Sequence, residues 1–118
     1  MQSDDFVRAL KQGCRDGVVQ DCVESFRQPP GRKPRSELVR ISQWFNSLSS
    51  TDRELVVAAM REAADATLFG VLCVIDGVRP IEAETEKSEF TLSASRAGTK
   101  TIISPSETYL HDLLRGEP

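Results

Sequence analysis

The chain's single histidine, His111, stands beside Asp112, and Cys73 or a serine as nucleophile would complete the residue types of a hydrolytic triad. Such chemistry needs a base that hydrogen-bonds both the nucleophile and an orienting carboxylate. Neighbours on a helix point about 100° apart, so Asp112 does not orient His111. No G-x-S-x-G elbow is present either. A surface histidine on a short terminal helix is the simpler reading, and an enzyme using His111 is kept as a third functional alternative.

Metal binding has little to build on. Zinc takes about four ligands at short spacings such as C-x-x-C, whereas Cys14 and Cys22 are eight residues apart, each within an apolar helical stripe. Cys14, Cys22 and Cys73 are all expected to be buried structural thiols. "GRKPRS" (31–36) lacks the Walker spacing, so Arg32, Lys33 and Arg35 read as a soluble linker rather than a phosphate loop. Asp65 has Arg61 one helical turn away, a spacing suited to a modest ion pair on a solvated face. No cofactor is implied.

The acidic stretch "IEAETEKSE" (81–89) is the most suggestive feature. If it is extended, Glu82, Glu84 and Glu86 point one way and Ala83 and Thr85 the other. Such a comb of carboxylates repels itself unless a cation or a basic partner meets it. Calcium loops need a D-x-D-x-D-G pattern that is missing here. A solvated loop that discourages edge aggregation is the plain alternative. Glu82, Glu84, Glu86 and Glu89, with Arg79 beside them, are the expected partner-binding residues. Trp44 is an aromatic anchor if its ring is exposed, although its place in a helical stripe favours the core.

These residues must be positioned by a chain that is helical first. Ser3 suits a cap, with Asp4 and Asp5 in the positive first turn, and Phe6, Leu10 and Cys14 recur every fourth residue. Gly13 and Asp16-Gly17 predict a break before a second short helix that carries Val18, Val19, Cys22, Val23 and Phe26. "QPPGRKPRS" (28–36) cannot sustain a helix and forms an internal connector. Ser36 then suits a cap for a helix with Leu38, Ile41, Trp44, Phe45 and Leu48 on one side.

Thr51 and Glu54 match a capping box at the head of the longest element, about 51–76. This helix is amphipathic at its start. After Thr67 it is apolar all round, which predicts that its far end is enclosed by the rest of the domain. A buried strand over 68–75 is the competing reading. Gly70 suggests close approach of another backbone, and Asp76-Gly77 a helix stop. Past Pro80, "EFTLSAS", "RAGT" and "KTIIS" predict a β-hairpin over about 89–104, with Phe90, Leu92 and Ala94 on one face. Val78 to Glu84 could add an edge strand. A short closing helix with Leu110, Leu113 and Leu114 inward completes an α+β fold, a single domain over 1–118, whose N-terminal two-thirds is helical.

The net charge of -3 argues against nucleic acid or anionic membrane as a general partner. Residues 1–50 carry eight Lys/Arg and six Asp/Glu, while 51–118 carry seven and twelve, so the acidic half is C-terminal. The eight uncharged residues Leu68 to Ile75 fall short of the roughly 18 that a membrane span needs. The opening "MQSDDFVRAL" does not read as a signal peptide. Three cysteines, an odd number, fit a reducing cytoplasmic compartment better than a disulfide framework.

Together "WFNSLSSTDRELV", "EAADATLFGVLCVIDGVRPIE" and "LHDLL" resemble a family of small bacterial proteins of unknown function, over about residues 43–114. The resemblance implies an immunity-type protein that neutralises a secreted toxin, and it carries no site residues. The leading expectation is therefore a non-catalytic protein-binding domain that occludes a basic site on a partner. A homo-oligomeric structural module, pairing through its hairpin edge as a homodimer, is the alternative.

Overall fold

Helix α1 (Ser3–Leu10) begins where the Asp5 carboxylate reaches back to accept the Gln2 N–H at 3.2 Å. Ser3 does not cap it. Its hydroxyl donates instead to the Ile103 carbonyl oxygen at 2.8 Å, tying the head of α1 to the hairpin a hundred residues later. The computed structural model describes residues 1–116.

The predicted break at Asp16-Gly17 is absent. Lys11–Asp16 form a π-helical turn, and the chain runs on into α2 (Gly17–Arg27), with the Gly17 N–H donating to the Gln12 carbonyl five residues back. A π turn keeps backbone groups bonded where a break would expose them. Side chains fasten it: Arg15 bonds Asp16 at 2.9 Å and Asp65, on the facing helix, at 3.0 Å.

Helix α3 (Ser36–Ser47) follows the proline-rich connector, with Arg35 rather than Ser36 in the cap position. Phe45 is buried and meets Phe26 edge-on at 5.8 Å. Helix α4 (Ser50–Ile75) is the long element, with 26 residues. Its cap is Ser49, whose hydroxyl accepts the Asp52 N–H at 3.1 Å, two residues before the predicted Thr51. The segment 68–75 is helix, not strand, and Gly77, at φ +78°, terminates it in the left-handed conformation open to a residue without Cβ.

Val7 shares a buried cluster with Leu68 and Leu72, while Val23 and Phe45 share a second with Val56 and Val57. The first helical run and α4 are therefore antiparallel, with one apolar cluster at each end. Strands β1 (Leu92–Arg96) and β2 (Thr99–Ser104) make a two-stranded antiparallel hairpin. Its turn is Ala97-Gly98, both at positive φ as a tight primed turn requires. A bulge at Leu92/Ser93 lets consecutive residues Ile103 and Ser104 both turn inward. Leu92 and Ala94 pack on the first cluster, whereas Phe90 precedes the strand and is exposed. Val78 to Glu84 forms no strand. Helix α5 (Leu110–Arg115) closes the first cluster with Leu110 and Leu114 buried and Leu113 against them. The fold is α+β, with a helical N-terminal two-thirds, a hairpin and a short last helix.

Two expectations about the interior need correcting. The end of α4 is not enclosed all round: Leu68, Leu72 and Cys73 are buried, but Val71 is 51% exposed. Gly70 does not admit another backbone. A Cβ there would meet the Arg79 guanidinium at 2.8 Å, so it is a side chain that lies over it. The molecule is also open in shape. Its radius of gyration is 18.2 Å, against about 13–14 Å for a compact chain of this length. Its accessible surface is 8532 Å², against roughly 6,400 Å² for a folded monomer of this mass.

Candidate functional site

The end of α4 brings Asp76 to the start of α5. The Asp76 carboxylate accepts the Leu110 N–H at 3.1 Å and the His111 N–H at 2.9 Å, and lies 2.7 Å from His111 Nδ1. Nε2 of the same ring faces Asp112 at 3.4 Å. His111 is thus no surface histidine: its side chain is 15% exposed, stacked on Tyr109 and edge-on to Phe69. Asp76 holds Nδ1, while Nε2 lies beside the exposed Asp112 carboxylate without a hydrogen bond, and no serine hydroxyl or thiol is bonded to either nitrogen among the described residues. The partner Asp76 was invisible to spacing arguments because it lies 35 residues away and reads in the sequence only as part of a helix stop.

Beside this pair, Asp65 accepts Arg15 at 3.0 Å and Arg115 at 3.1 Å, and the Arg115 guanidinium covers the Phe69 ring at 4.1 Å. The expected Arg61–Asp65 pair does not form. Arg61 turns to Asp16 at 4.0 Å. Hydrogen bonding to Asp16, then to Asp65, raises the Arg15 pKa, and the same bond from Arg15 holds the Asp16 carboxyl below its usual range. These charges join the first helical run, α4 and α5, which is a structural task.

The acidic segment takes another form than the predicted comb. A bend at 84–86 breaks the extended alternation. The Ser88 N–H and hydroxyl both donate to the Glu82 carboxylate at 2.7 Å, and Lys87 donates to the Glu84 carbonyl oxygen. The two Ser88 bonds, the hydroxyl's first, pull the Glu82 pKa below its usual value. Glu82 is therefore a clip that closes the loop. Glu84, Glu86 and Glu89 are exposed, and among the described residues none has an ion-pair partner. Arg79 is drawn away from them onto Gly70. The structure brings Glu82, Glu84, Glu86 and Glu89 into one loop but does not set Arg79 beside the carboxylates.

An apolar groove was missed by the sequence reading. Phe6, Leu10, Cys14 and Val18 form one wall, and Ala63, Thr67, Val71 and Ile75 on α4 the other, around about 540 Å³. The every-fourth spacing of Phe6, Leu10 and Cys14 marks this stripe in the sequence, but spacing does not say whether anything covers it. Cys14 is exposed there and Cys22 half-buried, so only Cys73 is a buried thiol, and all three are free. Trp44 is likewise outside the core, 52% exposed. Arg32, Lys33 and Arg35 are exposed in their linker. No helix among the described residues is long and apolar enough to cross a membrane. Compared with protein-family models, with curated proteins and with solved structures, the chain shows no match.

Proposed function

We propose that this chain is a non-catalytic protein-binding domain and, in its finer form, an immunity-type inhibitor that occludes a basic site on a toxin in a bacterial cytoplasm. The observation that carries this reading is the state of the 82–89 loop. Glu84, Glu86 and Glu89 stand exposed without ion-pair partners among the described residues, on a loop clipped shut by Glu82 and Ser88. Unpaired carboxylates speed encounter with a basic site, and a loop already tied loses less entropy when it is bound. Free thiols agree with a reducing compartment. Nε2 of His111 faces the exposed Asp112 carboxylate rather than a serine hydroxyl or thiol, which weighs against the triad form of the enzyme reading.

The test is affinity capture from cell extract with the native chain and with Glu84, Glu86 and Glu89 changed together to Lys. Glu82 is left in place so that the clip survives. Capture should vanish in the variant while its circular dichroism stays native, and capture by the native chain should weaken with salt. Capture that persists in the variant and in high salt refutes the acidic-loop mechanism. The homo-oligomeric reading is favoured by a separate feature, the apolar groove.

A further inference from the structure

We infer that the groove between the first helical run and α4 is the contact face between two copies of this chain. None of the residues that line it, Phe6, Leu10, Cys14 and Val18 on one wall and those of α4 on the other, carries a charge. It thus offers nothing for electrostatic selection of a foreign partner, while the interfaces of homodimers are the more apolar ones. The accessible surface of 8532 Å² exceeds that of a compact monomer by roughly 2,100 Å². Obligate homodimers bury about 2,000–5,000 Å² in total, or about 1,000–2,500 Å² per protomer. That surplus belongs to the whole chain, the exposed linker and acidic loop included, and leaves room for the area that a second copy would remove at the groove.

The geometry suits a twin. Two antiparallel helices with an open apolar seam are half of a four-helix bundle, and a two-fold axis supplies the other half. Ala59, Ala63 and Ala66 are exposed along α4, so a partner helix can approach closely. Leu55 and Val71, 64% and 51% exposed, flank them. Of the ten hydrophobic side chains buried among the described residues, nine form two small clusters, of six and three. Covering the groove adds the apolar burial that so open a chain lacks. The hairpin edge of the earlier expectation is not needed. Nor is the acidic loop, so this proposal and the binding function fail separately.

Light scattering on the full chain should give twice 13.1 kDa, and the melting temperature should rise with protein concentration. Cys14 alkylation should be slowed roughly tenfold in the dimer and recover on dilution, since the thiol lies in the covered groove. Val71→Arg and Val18→Arg, at half-exposed sites, should each give a monomer with native circular dichroism. A wild-type chain that stays monomeric with Cys14 freely reactive at every concentration overturns the proposal. So does a dimer that survives both groove variants but is lost in the hairpin variant Ile102→Lys.

Discussion

Asp76 and His111 hold the two ends of the C-terminal third together: the carboxylate that ends α4 accepts the backbone N–H of His111 and meets its ring Nδ1. One buried side chain, 1% exposed, thereby serves as the N-terminal cap of α5. Removing it leaves two backbone donors and a ring nitrogen without an acceptor. Asp76→Ala should cost about 2–3 kcal/mol, the range for charged hydrogen bonds whose partners are left buried. Urea unfolding checks this through a lower midpoint at unchanged slope. A midpoint equal to wild type would mean the carboxylate does not hold α5.

Trp44 and Phe45 are adjacent but opposite in burial, 52% against 1% exposed. Phe45→Ala should destabilise by about 3–4 kcal/mol, because it empties the centre of the second cluster. Trp44→Ala should change stability by less than about 0.5 kcal/mol, as an exposed substitution does. The fluorescence of the single tryptophan should show the red-shifted emission of a wetted indole. Blue-shifted emission, or a large loss of stability in Trp44→Ala, would place the ring inside.

Gly70 and Gly77 should respond oppositely to alanine. At Gly77, with φ +78°, a Cβ is strained, so Gly77→Ala should cost about 1 kcal/mol. At Gly70 the new Cβ meets only the far end of the Arg79 side chain. That end can move, and alanine is the better helix former, so Gly70→Ala should stabilise by about 0.5 kcal/mol. Paired thermal melts decide it, and a destabilised Gly70→Ala would show that Arg79 is fixed in place.

The clip in the acidic loop should open with acid. Glu82 has its pKa lowered in the folded chain by the Ser88 hydroxyl and then by the Ser88 N–H. A carboxyl whose folded pKa is depressed contributes fully above its unfolded pKa, and that contribution is lost as pH falls through the folded value. The Glu82–Ser88 contact should thus be constant near neutrality and be lost as pH falls below the ordinary Glu value. Asp16, lowered by Arg15, follows the same direction. Ser88→Ala should return the Glu82 titration toward the usual Glu value. Carboxyl chemical shifts followed against pH measure both effects, and a Glu82 titration unmoved by Ser88→Ala would disprove the clip.

Local grammar was legible wherever a residue's role depends on its near neighbours. Helix α4 ends at Asp76-Gly77 because a positive-φ stop is a local property, and the hairpin turns at Ala97-Gly98 for the same reason. Caps were legible only to within a few residues, since Ser49 and Thr51 offer the same hydroxyl chemistry within one turn. Period alone also misassigned Cys14 and Trp44. It places residues on a stripe and does not say whether anything covers that stripe.

By themselves, the periodicities and turn residues determined the order of elements, the α+β class and the position of the acidic loop, because each follows from backbone sterics and apolar spacing over a few turns. The tertiary structure decided what those elements face. It joined Asp76 to His111 across 35 residues, folded the acidic comb into a clipped loop, and left the seam between the first helical run and α4 open. Long-range partners and uncovered faces depend on how whole helices pack against one another, and no spacing within a single helix encodes that.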